Sequence, residues 1–193
     1  MDYRERMPIP YEGNRFGFVY RGAIAGNADG EVNVRPISYD AYGVTVAANV
    51  YIPAGYDEAG SYAGIVVGHP NGAVKEQAAG LYGQRLAEKG FVTLVFDAVS
   101  CGESGGEPRN QDLPYLRVED YRLGADVLSG FPGVDPARIA VLGLCGGGGY
   151  ALSAAQTDKR FRAVAVVSLF NTGSVRREGF QKSQADSVLS RLH

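Results

Sequence analysis

Short apolar runs alternate along this chain with stretches in which apolar residues recur every three or four positions. The runs are Ala63 to Val67, Phe91 to Phe96, Ile139 to Leu142 and Ala163 to Ser168. Unbroken apolar runs of this length, edged by glycine or polar residues, predict strands buried on both faces. Between them, Lys75 to Lys89 spaces Ala79, Tyr82, Leu86 and Ala87 as a helix does, and Gly90 stops it. Pro114 to Ser129 sets Leu116, Tyr121, Leu123, Val127 and Leu128 on the apolar side of a second helix, and Tyr150 to Ala155 reads as a third. Upstream, Glu31 to Tyr39 and Gly43 to Ile52 carry alternating and β-branched residues around Asp40-Ala41-Tyr42, which predicts a β-hairpin. Strand-helix alternation with buried strands implies an α/β domain built on a mostly parallel sheet, and the antiparallel hairpin in front makes that sheet mixed. Residues 1–30, rich in Gly, Pro and Arg without periodicity, read as an N-terminal arm, and residues 31–193 as the core. Past Asn171 the sequence is polar and mixed. Ser183 to Leu192 is expected to form a last helix with Val188, Leu189 and Leu192 on one face.

The chemistry concentrates where the Ile139 run ends. Gly143-Leu144-Cys145-Gly146-Gly147 lies between that strand and the following helix. Strand, Gly-x-nucleophile-x-Gly and helix together describe a nucleophile elbow, here with cysteine as the nucleophile. The turn is too tight for side chains beside the nucleophile, hence the flanking glycines. The sulfur would then stand at a helix N-terminus, where the dipole and free N–H groups favour an anion. A free cysteine is more often a small buried hydrophobe, but burial alone needs no glycine on both sides. The run Gly146 to Gly149 could instead cradle phosphate. It follows a late strand, however, and lacks both the dinucleotide spacing and a Gly-Lys-Ser/Thr ending. Close packing of helix on sheet explains those glycines better.

His69-Pro70-Asn71-Gly72 follows the Ala63 strand, where an oxyanion loop belongs. Pro70 has no N–H, so the donor is expected to be Asn71 or a neighbour, acting with Gly146. His69 is expected to be a turn residue satisfied by hydrogen bonds rather than a base. Asp97 ends another strand, but an acid ahead of the nucleophile runs against the usual order. Cys101 reads as an ordinary loop thiol, and Arg117 to Arg122 as a solvated helix face.

Composition narrows the field. The chain has 193 residues, 45% of them hydrophobic, and a formal charge of -2, which gives no electrostatic case for nucleic acid. No apolar run is long enough to span a bilayer, and the charged start Met1 to Arg6 has no apolar leader. A cytoplasmic location with free thiols is therefore expected. Two Cys and two His, scattered singly, suggest no metal, and no cofactor is expected. The elbow leads us to expect a small acyl substrate as the partner.

His69-Pro70-Asn71-Gly72 with Val74-Lys75-Glu76-Gln77, Phe96-Asp97 with Gly102-Glu103-Ser104-Gly105-Gly106, and Val134-Asp135-Pro136-Ala137-Arg138-Ile139 leading to the Cys145 elbow occur in that order. Together they resemble the dienelactone-hydrolase-like α/β-hydrolases, including Xaa-Pro dipeptidyl-peptidase-like hydrolases and fungal polyketide-transferase thiohydrolases. The resemblance implies the α/β-hydrolase fold, Cys145 as nucleophile, Gly146 and Asn71 as oxyanion donors, and esters, lactones or thioesters as substrates. It also places the acid and base histidine after the Ala163 strand, so the C-terminal part of the fold is expected to be missing. Only His69 and His193 exist. The expectation is a half-built site with slow or absent turnover, and an exposed sheet edge that a homodimer would cover. A non-catalytic binding protein of this fold and an acyltransferase are the competing readings.

Overall fold

A computed structural model describes residues 1–7, 9 and 13–184. The strands are β1 (Tyr3–Glu5), β2 (Asn33–Ala41), β3 (Val44–Ile52), β4 (Tyr62–Gly68), β5 (Val92–Phe96), β6 (Val134–Leu144) and β7 (Phe161–Val167). The helices are α1 (Gly80–Ala87), α2 (Pro114–Ser129), α3 (Gly146–Thr157) and α4 (Thr172–Glu178). A wide turn over Lys75–Ala79 feeds directly into α1. The seven strands form one sheet in the order β1-β2-β3-β5-β4-β6-β7. Strands β5, β4, β6 and β7 are parallel, and β1 to β3 are antiparallel. This is the mixed α/β-hydrolase sheet expected from the sequence.

Register explains where a site can form. Gly68 pairs with both Phe96 and Gly143, so β4, β5 and β6 finish nearly level. The residues just past them, His69, Asp97 and Cys145, share one rim, the carboxyl edge where ligands of such sheets bind. The pleat sends neighbouring residues to opposite faces. Val66, Leu94, Phe96 and Val141 pack with Tyr121 and Leu128 of α2 and Ala151 of α3. Val67, Val95 and Leu142 pack on the other face with Ala79, Ala87 and Tyr51.

Two details differ from the pattern along the chain. Described residues within the 1–30 stretch lie against the sheet. Tyr3–Glu5 adds β1 to the edge of β2, and Phe16 and Phe18 are buried in the α1-side layer, with the Phe18 ring 5.6 Å from that of Tyr51. Glycine and charge around these aromatics erase any period, yet the apolar face needs a cover and they supply it. Strand β6 also starts earlier than its apolar run, at Val134, through an exposed stretch containing Pro136. The helix expected over Ser183 to Leu192 and the terminal His193 lie outside the described residues, apart from Ser183 and Gln184.

Candidate active site

Cys145 is the single residue between β6 and α3, and its backbone is bent to φ 55°, ψ -124°. A non-glycine side chain at such angles costs on the order of 1–3 kcal/mol, so surrounding structure must hold it there. The Cys145 N–H donates to Val167 O at 2.8 Å, and its carbonyl accepts from Gly148 N–H at 2.9 Å. The glycines are steric requirements. A Cβ on Gly143 would sit 2.6 Å from the Ala151 Cβ, and one on Gly147 would sit 2.5 Å from the His69 carbonyl oxygen. Close approach of the His69–Asn71 loop at Gly146 and Gly147, and of Leu169 at Gly148, accounts for three of the four glycines in the run, while a Cβ on Gly149 would make only ordinary contact. Cys145 is half-buried, whereas Cys101 is buried. Burial pushes the Cys101 thiol up from its ordinary value, ahead of the opposing effect of Arg117.

Asn71 sits directly against the elbow: a Cβ on Gly146 would meet its Oδ1 at 2.4 Å. Among the described residues, neither the Asn71 N–H nor the Gly146 N–H has an acceptor. Cys145, Gly146 and Asn71 are thus brought together. The Asn71 amide donates to Asp112 Oδ2 at 3.0 Å. The same oxygen accepts from the Tyr150 hydroxyl at 3.0 Å and from Arg176 of α4.

His69 is fully buried, and both its nitrogens are engaged. Nδ1 donates to the Pro70 carbonyl at 2.7 Å, which leaves Nε2 to accept from Ala98 N–H at 3.0 Å and from Arg117 at 3.1 Å. Burial, then the Arg117 guanidinium, lowers its pKa to about 3. The ring is a neutral structural link, as expected for a turn residue, and has no free nitrogen to act as base.

Asp97 is equally committed. Its Oδ1 accepts from Lys75 N–H at 2.7 Å, and its Oδ2 from Lys75 Nζ at 2.8 Å and Glu103 N–H at 2.9 Å. Carboxylate oxygens of Glu76, Asp97 and Glu103 lie within 4.8 Å of one another, a spacing that could hold a metal ion. The Lys75 ammonium already fills that space, with Glu103 Oε2 at 2.6 Å and Glu76 also paired to it. Burial pulls the Lys75 pKa down, but Asp97 and Glu76 outweigh it and hold it above the ordinary value.

Sequence reasoning missed Arg117, Asp112 and Asp120. The segment read as a solvated helix face places Arg117 at 2% and Asp120 at 1% exposure. The signal was available, because Arg117 stands four residues before Tyr121 and Asp120 three before Leu123, on the helix side already assigned to the core. Arg117 also donates to the His69 carbonyl at 2.8 Å. Asp112 sits in an irregular loop, where no periodicity could point to it.

Across residues 23–179 the sequence matches the family described as PET hydrolase-like. It is 46% identical over 140 residues to the uncharacterized protein YcjY of Escherichia coli K12, covering 72% of this chain and 46% of that protein. It is 46% identical over 144 residues to the uncharacterized protein PA2218 of Pseudomonas aeruginosa, covering 74% of this chain and 38% of that protein. The crystal structure of PA2218 superimposes with a TM-score of 0.79 and 40% identity, over 86% of this chain and 51% of that one. The thiohydrolase aneE of Aspergillus aculeatus is 33% identical over 114 residues, 59% of this chain and 36% of aneE. The chain spans about half the length, or less, of these relatives. No helix among the described residues is long and apolar enough to cross a membrane.

Proposed function

Because this chain belongs to the PET hydrolase-like family of α/β-hydrolases, we propose that it opens carboxylic ester, lactone or thioester bonds with Cys145 as nucleophile. The observation that carries this reading is the bent backbone of Cys145 at the β6–α3 junction. The Cys145 thiol gives its proton to water, and the sulfur attacks the acyl carbon, forming an S–C bond as the carbonyl electrons move to oxygen. The resulting oxyanion lies within reach of the Gly146 and Asn71 N–H groups. Collapse expels the alcohol or thiol, which takes up a proton, and leaves a thioester on Cys145. Water then cleaves that thioester to a carboxylic acid and the free thiol. Two N–H donors matter here, since losing one typically slows such chemistry about 10²–10³-fold. Kinship with a thiohydrolase supports thioesters among the substrates.

Both His69 nitrogens are engaged, so among the described residues no imidazole is free to serve Cys145, and from these residues alone acylation is expected to outpace release. Water attack that lacks a general base is slower by about 10²–10⁴-fold. The competing reading, a binding protein that retained the fold, predicts no acyl-enzyme at all. Intact-mass spectrometry after brief exposure to p-nitrophenyl acetate decides. One acetyl group should appear on Cys145, persist for many minutes, and vanish in Cys145→Ala but not in Cys101→Ala. Absence of acetylation, or acetylation at Cys101 alone, sinks the assignment.

A further inference from the structure

We propose that Asp112 is a positioning residue that sets the spacing between the two oxyanion donors, an inference resting on Cys145 as the acylated nucleophile. One carboxylate oxygen, Oδ2, accepts from the Asn71 side-chain amide and from the Tyr150 hydroxyl, each at 3.0 Å. Tyr150 lies one helical turn beyond Gly146 on α3, so its hydroxyl reports the placement of the helix that carries the Gly146 N–H. Asn71 belongs to the loop that carries the other N–H. A single oxygen therefore bonds both bodies whose separation defines the hole. Arg176 of α4 donates to the same oxygen and, through Nη1, to the Asp112 carbonyl at 3.3 Å, which fixes the carboxylate in its turn.

The loop is also held from its other end. Arg117, five residues past Asp112, grips both the ring and the carbonyl of His69, and its guanidinium lies over the Tyr150 ring at 5.6 Å. Its Nε and Asp112 Oδ1 are both buried without hydrogen-bond partners, and they face each other at 3.8 Å. A shift of under an ångström would join them. His69, Pro70 and Asn71 are thus strung between an arginine and an aspartate that precede or open α2. Hydrogen bonds to an ionised carboxylate are roughly twice as strong as neutral ones, which suits Asp112 to this task.

The test separates acylation from simple alkylation at the same sulfur. Attack on p-nitrophenyl acetate builds an oxyanion and needs both donors; displacement of iodide from iodoacetamide builds none at an acyl carbon. Asp112→Ala should slow acetylation of Cys145 by at least about 10-fold, the scale on which misplacing catalytic groups by an ångström acts, and leave the alkylation rate within about 2-fold. Asp112→Asn, which keeps a carbonyl oxygen in place, should recover part of the loss. Combining Asp112→Ala with Asn71→Ala should cost no more than the larger single loss, because one acts through the other. If Asp112→Ala fails to fold, the Asp112→Asn ratio of acetylation to alkylation must still fall. Unchanged acetylation, or equal loss of acetylation and alkylation, overturns the positioning role while leaving the nucleophile intact. Alkylation without any acetylation in the unaltered protein overturns the acyl chemistry itself and the positioning role with it.

Discussion

His69 and Asp120 are two buried groups whose titrations oppose each other. Burial, assisted by Arg117, lowers His69 from 6.5 to about 3. Unfolded chains therefore bind its proton more readily, and its share of stability, complete above pH 6.5, is lost as pH falls toward 3. Burial raises Asp120 from 3.8 to about 7 against the pull of Arg117 and the Val99 N–H. Its share is complete below pH 3.8 and is lost as pH rises through 7. Between about pH 4 and 6.5 the two slopes offset, so urea midpoints should form a plateau there. Asp120→Asn should uncover the His69 slope, with stability rising with pH across that window. His69→Asn should uncover the opposite slope. A flat profile in both variants would show that neither group is titrating as its surroundings dictate. The same scale shows what sequence could and could not disclose about the site. Cys145 and its glycines are a local pattern, visible in one line. Asp112 and Arg117 act through contacts with His69 and Asn71 more than forty residues away, and no spacing along the chain encodes that meeting.

At the scale of elements, β5, α2 and α3 were legible because each buries a periodic or unbroken apolar set. Other elements were obscured by what they must also carry. Pro136 and the exposed residues around it hide the first half of β6, and three residues with two charges hide β1. Helix α4 is short and carries no buried residue, so it has no apolar stripe to read. What fixes its start is a side-chain cap: Asn171 Oδ1 accepts from Ser174 N–H at 2.9 Å. Asn171→Ala should destabilise this turn by about 1 kcal/mol. Amide exchange across residues 174–178 should quicken while exchange in β4 and β6 stays unchanged. Exchange accelerating everywhere would mean that α4 is part of the global folding unit.

For the whole molecule, the asymmetry lies in the two ends of the sheet. On the β1 side, the N-terminal strand shields the hairpin. On the other, β7 pairs only with β6 among the described residues, and Val164 and Val166 are each 41% exposed. An open, apolar strand edge is a template for pairing. Sedimentation should show concentration-dependent association, weakened in Val166→Lys; a monomer at all concentrations, unaltered by the substitution, would contradict this. A second whole-molecule feature is the ammonium of Lys75, enclosed at 1% exposure by carboxylates from its own turn, from the end of β5 and from the following loop, with Arg6 drawn in beside Glu103. Shut away and held as a cation, this amine is inert toward acylating reagents such as succinimidyl esters while the fold is closed. It becomes modifiable only when the N-terminal segment, the sheet rim and the loop part company, so its labelling rate is a built-in clock for the opening of the protein.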